Sequence, residues 1–322
     1  LYGVCGEGFG HSSRAQEIIT HLEQRRHRVL VVTYGQAYNV LKKFNILKVE
    51  GVSLSFKQGK LSLISTITEN IPRLLKNLKN WRKIKKKIDA FKPDLCITDM
   101  EPIVPIISHF YKLPLISIDN QHRLTHLELQ IPKKYRKDFL IAKYVVKRCV
   151  SRARAFIILS FVKSKKKTEN VHIVAPILRK SVLELKPVYS DNILVYLTKP
   201  DDKLIEMIKN IPRKFIIYGF DKEKKEENVV YKKTGQHFLQ DLASCNAIIA
   251  TSGFTLISEA LYLKKPYFAI PLKGQFEQTL NALFLKNSRL GTFSENPTQK
   301  EIKEFLDNIE SYRSKLKKHK MN

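Results

Sequence analysis

Residues 250–261 read Ala250-Thr251-Ser252-Gly253-Phe254-Thr255-Leu256-Ile257-Ser258-Glu259-Ala260-Leu261. The apolar run Ala247 to Ala250 ends in a Ser-Gly turn, and an apolar-faced stretch at helical spacing follows. This pattern predicts a strand, a tight turn and a helix whose free amides favour an anion such as a diphosphate. Glu259 falls one turn inside that helix, where a carboxylate can bond both hydroxyls of a ribose. Further on, the strand Tyr267 to Ile270 ends at Pro271 and leads to Gln275-Phe276-Glu277-Gln278 and Asn281-Ala282. Parallel strands end at one sheet edge, so Glu277 and Gln278 can reach the ligand of the Ser-Gly turn. Singly, each residue has a plain structural use, Glu259 on a helix surface and Asn281 as a packing amide. Their spacing in one block argues for a shared site.

The same alternation runs through the chain and is the signature of βα units building parallel sheets. Leu1 to Cys5 predicts a strand, and Ser12 to about Arg26 a helix with Ala15, Ile18, Ile19 and Leu22 on one face. Val29 to Thr33, Leu95 to Thr98, Leu115 to Ile118 and Ala155 to Leu159 predict further strands. Ile71, Leu74, Leu75, Leu78, Trp81, Ile84, Ile88 and Phe91 recur every three or four residues and predict one long amphipathic helix. The pattern restarts with strands at Asn192 to Leu197, Lys214 to Tyr218 and Val229 to Tyr231, and a helix at Lys203 to Asn210. Between the halves, Pro176 to Ser190 carries two prolines and mixed polarity and reads as a linker. The expectation is an α/β chain of two Rossmann-like doubly wound domains, 1–175 and 191–322, with the last helix able to pack back on the first domain. At 322 residues each half can bury its own core. Such domains take ligands at the carboxyl ends of their strands, in the cleft between them.

Gly6-Glu7-Gly8-Phe9-Gly10-His11 follows the first strand and opens the first helix. Gly8 and Gly10 allow positive φ and close approach of a ligand. The third glycine arrives one residue too early for the dinucleotide fingerprint. His11 is either a base for a hydroxyl in the cleft or a cap on its own helix. Asp99 and Glu101, after the strand ending at Thr98, also point at the cleft, as does the loop Asp119-Asn120-Gln121-His122.

Composition narrows the class. Lys and Arg number 58 against 30 acidic residues, a net charge of +28 that attracts anions, unless it is solvated lysine surface. No RRM, KH, helix-turn-helix or zinc pattern accompanies it, so nucleic acid is not the expected partner. No apolar run approaches the ~20 residues of a membrane-spanning helix. Leu1 already reads as strand, so residues are expected to precede it. The four cysteines, Cys5, Cys96, Cys149 and Cys245, form no CxxC pair and predict buried free thiols in a reducing, cytoplasmic setting. No Asp-x-Asp motif is present, and no metal is expected.

The block from Ser252 to Asn281 resembles the donor site of GT-B glycosyltransferases. The likeness is to the family 28 and UDP-glycosyltransferase group, which includes the N-acetylglucosaminyltransferase of peptidoglycan synthesis and the monogalactosyldiacylglycerol synthases. The resemblance implies that Ser252, Gly253, Phe254 and Thr255 meet a diphosphate and that Glu259 binds ribose. Glu277 and Gln278 would contact the donor sugar, with Gln275 and Asn281 in the same donor site, and Gln236-His237-Phe238-Leu239 would face the nucleobase. His11 matches the histidine that closes the family's glycine loop and faces the acceptor, and Asp119 to His122 matches an acceptor-side loop in position. Two departures stand out: Tyr196-Leu197-Thr198-Lys199-Pro200 replaces a glycine-rich turn, and Phe254 replaces a small residue.

The activity implied by the resemblance is an inverting, metal-independent transfer of a hexose or N-acetylhexosamine, with no cofactor. The donor is a nucleotide-sugar, expected to be UDP-linked; the acceptor is a lipid-linked or envelope glycan. An anionic membrane surface, the inner face of the cell membrane, is the expected docking partner. A non-hydrolysing UDP-sugar 2-epimerase shares the fold and a Ser-Gly…Glu block, but the groups it needs around C2 are not assignable here. A non-catalytic basic protein that binds nucleic acid or an anionic surface is the alternative from another class.

Overall fold

The computed structural model describes residues 1–52, 55–57, 60–61, 63–150, 152–235 and 237–321. Gln236 lies outside the described residues, as does the side chain of Leu74. The chain divides into two units, 1–179 and 180–321.

The first unit contains β1 (Tyr2–Val4), α1 (Phe9–Gln24), β2 (Val31–Thr33), α2 (Gly35–Leu41) and β3 (Ile46–Lys48). A small hairpin, β4 (Phe56–Lys57) and β5 (Lys60–Leu61), is followed by α3 (Leu63–Lys79) and α4 (Trp81–Phe91). Then come β6 (Cys96–Asp99), α5 (Ile103–Phe110), β7 (Leu115–Asp119), α6 (Arg123–His126), α7 (Arg136–Cys149), β8 (Ala155–Leu159) and β9 (Val171–Val174). Seven strands form one sheet in the order β3-β2-β1-β6-β7-β8-β9, and every pairing in it is parallel. Apolar side chains on both faces, such as Val4, Ile84, Ile88, Val104 and Ile158, explain why its central strands read as unbroken apolar runs.

The second unit contains α8 (Lys180–Leu183), β10 (Asn192–Tyr196), α9 (Asp202–Lys209), β11 (Lys214–Tyr218), β12 (Lys224–Glu226) and β13 (Val229–Tyr231). It continues with α10 (Phe238–Ser244), β14 (Ala247–Thr251), α11 (Phe254–Tyr262), β15 (Tyr267–Ile270), α12 (Phe276–Asn287), β16 (Gly291–Phe293), α13 (Gln299–Asp307) and α14 (Ile309–Lys318). The sheet order is β12-β13-β11-β10-β14-β15-β16, with only the edge strand β12 antiparallel. The segment entering this sheet is tied to it. Val188 N donates to Ala243 O at 2.9 Å and Ser190 N to Ser244 O at 2.8 Å. The fully buried Lys265 donates to Val188 O at 2.5 Å and Cys245 O at 2.8 Å. On the last helix, Ile309 and Tyr312 pack into this unit's own core.

The predicted long helix over 71–91 is two helices that meet at Asn80, whose φ of −87° and ψ of 1° leave the α region. Burial splits with it. Ile84 and Ile88 of α4 are covered, while Ile71, Leu75 and Leu78 of α3 are 50%, 52% and 61% exposed. The stripe is one pattern in sequence, yet among the described residues Ile71, Leu75 and Leu78 of its first half stay exposed. Strands β6 and β7 each run one residue beyond expectation, so Asp99 and Asp119 are strand-terminal residues. All four cysteines are free thiols, Cys96 and Cys245 buried and Cys5 and Cys149 half-buried.

Candidate active site

In each sheet the first strand, β1 or β10, lies where the strand order reverses, and crevices at such switch points hold ligands in open α/β sheets. In the first unit β1 runs into the glycine loop, and β6 beside it ends at Asp99. Gly6 is required by packing: a Cβ there would sit 2.3 Å from Tyr34 Cδ2. Gly8 has φ +77° with open space around it and starts α1 immediately behind it. Gly10 and His11 therefore occupy the first helical turn. Met100, with φ +55°, bends the chain away from Asp99 at the end of β6.

His11 Nδ1 lies 2.8 Å from Asp99 Oδ1; the imidazole is 13% exposed and the carboxylate is fully buried. Arg14, one turn further along α1, donates from Nε to Asp99 Oδ2 and from Nη2 to Oδ1, both at 2.6 Å. Its Nη1 reaches Asn120 Oδ1 at 3.0 Å. Burial opposes the Asp99 charge, but Arg14 and His11 outweigh it and hold the carboxyl below its usual range. Gln121 Nε2 approaches His11 Nε2 at 3.4 Å.

Glu101 is turned elsewhere. It accepts from Ile103 N at 3.0 Å and Val104 N at 2.8 Å, capping α5, with no exposure. Burial pushes its carboxyl up to about 7 against the pull of those two amides. The expectation that Glu101 points at a ligand is therefore corrected: the free amides of α5 claim it. Asp119 and His122 are each 1% exposed and joined at 2.6 Å through His122 Nδ1. Ser117 donates to the same carboxylate at 2.6 Å, and Asn120 is also buried. Of this predicted acceptor loop only Gln121 meets His11; the other three brace the exit of β7. Sequence reading missed Arg14, although its position three residues after His11 put both on one helix face.

In the second unit β14 ends at Thr251, and Gly253 caps α11 with open space where a Cβ would be. Ser252 Oγ is buried with no partner among the described residues. Thr251 Oγ1 bonds Thr198 Oγ1 at 2.9 Å. Beside them a cavity of about 460 Å³ is lined by Leu197, Lys199, Thr251, Ile270 and Leu272 among others. Phe254 is buried, Thr255 half-buried, and Glu259, further along α11, only 1% exposed. Asn281, predicted to touch a donor, is fully buried and donates to Ser252 O at 2.9 Å, so it holds the turn in place. Gln278 donates to Gln275 Oε1 at 2.9 Å and accepts from Leu272 N at 3.1 Å, while Glu277 stands half-buried in the first turn of α12. Phe238 packs edge-on to Tyr196 and Tyr218 at 5.5 and 5.0 Å, with Leu239 half-buried beside it. Among the described residues no group of three or more His, Cys, Asp or Glu is placed to hold a metal ion.

A family model described as glycosyl transferase family 1 matches residues 1–310. The chain belongs to that family. It is a glycosyltransferase of GT-B type, with two Rossmann-like units. A glycosyltransferase of Methanosarcina acetivorans is 23% identical, covering 98% of this chain and 91% of that protein. One from Methanosarcina mazei is 24% identical over the same shares. Among solved structures, the calicheamicin glycosyltransferase CalG4 matches with TM-score 0.69 at 16% identity, over 99% of this chain and 92% of that one. UGT2 of Phytolacca americana, solved with UDP-2-fluoro-glucose and pterostilbene, matches at 0.67 and 12%, over 98% and 93%. The spinosyn rhamnosyltransferase SpnG with thymidine diphosphate matches at 0.65 and 10%, over 98% and 94%.

The Asp119–His122 pair makes the first unit sensitive to pH. Burial opposes both charges, yet each partner outweighs it for the other, lowering Asp119 and raising His122. The contribution of Asp119 is present above about pH 4 and lost as pH falls further. That of His122 is complete below about pH 6.5 and lost as pH rises through its raised folded value. Glu101, raised to about 7, gives a slope of the same sign, but its window ends near that pH. Urea midpoints followed by the single Trp81, which packs on the first unit's core, are expected to fall between pH 7 and 9. In His122→Gln that fall is expected to flatten; a wild-type slope in the variant would remove His122 as its source.

Proposed function

We propose that this glycosyltransferase transfers a hexose or N-acetylhexosamine from a UDP-sugar to a hydroxyl of a lipid-linked or envelope glycan, inverting the anomeric carbon. The observation that carries the reading is the bond between buried Asp99 and His11 Nδ1, because it leaves Nε2 as the ring's basic nitrogen. Nε2 takes the acceptor hydroxyl proton and the oxygen attacks C1 from the face opposite the leaving group. The C1–O bond to the diphosphate breaks, and its electron pair leaves on the phosphate oxygen. No protein-held metal has a part in the proposed step. The amides heading α11, with Ser252 Oγ and the Thr198 and Thr251 hydroxyls, meet the leaving charge.

In this reading, residues 1–175 serve the acceptor, with Gly8, Gly10 and Gln121 beside His11, and residues 191–322 hold the donor. Phe238 and Leu239 wall the base, Ser252 to Thr255 take the diphosphate, and Gln275, Glu277 and Gln278 stand at the sugar end. Glu259 is the ribose ligand only if donor binding uncovers it. The UDP-sugar and thymidine diphosphate named in the plant UGT2 and SpnG structures support a nucleoside diphosphate donor.

Two substitutions separate the halves of the mechanism. His11→Ala is expected to lower turnover by roughly 10²–10⁴-fold with UDP affinity nearly intact; wild-type turnover would send the search for a base elsewhere. Ser252→Ala is expected to leave the free protein as stable as before, because the hydroxyl it removes has no partner among the described residues. It should weaken UDP binding by about 1.5–3 kcal/mol, the worth of a hydrogen bond to a charged group. Unchanged UDP affinity by calorimetry would take the diphosphate off this turn.

The acceptor class is supported by the uncovered face of α3, where Ile71, Leu75 and Leu78 stand out. Among the described residues, no helix is long and apolar enough to cross a membrane. Lys79 at the end of α3 and Arg82, Lys83 and Lys86 on α4 are exposed, each adding on the order of 1 kcal/mol near an anionic bilayer. Lys85 and Lys87 are engaged with Asp89 and the Ile46 carbonyl. Flotation with vesicles is expected to rise with phosphatidylglycerol, fall with salt and disappear when those four residues become Glu. Equal indifference to neutral and anionic vesicles would sink the membrane reading.

A further inference from the structure

His11 Nδ1 faces two groups at once. Asp99 Oδ1, which can only accept, is 2.8 Å away. Arg14 Nη2, which can only donate, is also 2.8 Å away. A neutral imidazole can answer one of them. If Nδ1 carries the proton and donates to Asp99, Nε2 is bare and can act as a base; in the other tautomer Nε2 carries it and cannot. Arg14 already places three N–H groups, two on Asp99 at 2.6 Å and one on Asn120 at 3.0 Å, so its ion pair with Asp99 does not depend on His11. The charge-assisted bond to Asp99 therefore decides for Nδ1–H. The donor end of the Gln121 amide, 3.4 Å from Nε2, faces a nitrogen without a proton.

We propose that Arg14 is a positioning residue for the proposed transfer. By matching the buried Asp99 charge, it keeps His11 from taking a second proton, while Asp99 holds the single proton on Nδ1. Arg14 and Asp99 are 5% and 0% exposed, and Tyr2 and Asp119 are the other titratable groups acting on Arg14. A buried carboxylate deprived of its cation must find another or neutralise. Without Arg14 the one adjoining partner able to gain charge is His11, and a doubly protonated ring has no base to offer.

The inference rests on the transferase reading but is tested without substrate, by ¹⁵N NMR of the histidine rings at pH 7.5 in the whole protein. Wild type is expected to show His11 with one proton, on Nδ1, assigned by its disappearance in His11→Ala. Arg14→Met is expected to put a second proton on the ring, shifting the neutral-to-charged ratio at least about tenfold. Arg14→Lys keeps the charge and is expected to restore the wild-type spectrum. Trp81 fluorescence reports whether the first unit is folded in each variant; should Arg14→Met fail to fold, the wild-type and Arg14→Lys spectra decide. A wild-type proton on Nε2, an Arg14→Met spectrum like wild type, or an Arg14→Lys spectrum without the Nδ1 proton overturns the assignment. Turnover of His11→Ala bears on the transferase reading alone, so the two can fail separately.

Discussion

A fully buried carboxylate at the end of β6 is the constraint on which the first unit's site depends. Asp99 is fully buried, so its charge must be met by donors brought from elsewhere in the chain. Arg14 and His11 come from one turn of α1, and the Arg14 guanidinium is held in turn by Asn120 at the end of β7. The glycines before α1 and the left-handed Met100 after Asp99 are the backbone consequences, since α1 must start abruptly and β6 must stop abruptly for these groups to meet. A second buried pair, Asp119 with His122, closes the next strand in the same manner.

The second unit answers the same topology with different chemistry. Its reversal point lies at β10 and β14, where the Ser252, Thr251 and Thr198 hydroxyls and the amides at the head of α11 gather, beside a cavity whose lining adds Lys199, Asp201, Asp202 and Lys203. Asn281 reaches across from α12 to fix the Ser252 carbonyl, so the shape of the turn is set from behind. Fixed dipoles of this sort favour a ligand that brings its own negative charge. The charges of the first unit suit the movement of a proton.

Much of this was legible along the chain because a parallel strand buried on both faces is an unbroken apolar run, whatever surrounds it. That is why Lys214 to Tyr218, Val229 to Tyr231 and Tyr267 to Ile270 could be bounded to the residue. Of the strands that escaped, β3, β9, β12 and β16 are the four edges of the two seven-stranded sheets, and β4 and β5 form the separate hairpin. Edge strands are covered on fewer sides, and Lys224-Lys225-Glu226 carries no apolar residue to betray it. Helical periodicity likewise predicted an apolar stripe over 71–91. It had no means of saying that Ile84 and Ile88 of α4 would be covered and Ile71, Leu75 and Leu78 of α3 would not.

The sequence by itself determined the two doubly wound units, the glycine loop that delivers His11 and the Ser-Gly turn that heads α11, because each is written in a local pattern of a dozen residues. Only the tertiary structure decided which polar residues near those turns are free to act. Glu101, Asp119, His122 and Asn281 looked like ligand contacts, yet each is consumed by a backbone amide, a carbonyl or a buried partner. Arg14 looked like an ordinary helix residue and is the main counter-charge of the site. The reason is physical: a polar group's task depends on which partners burial leaves it. Asp99 lies 85 residues from Arg14, and the 106 residues from Arg14 to Asn120 have no local pattern to record their meeting.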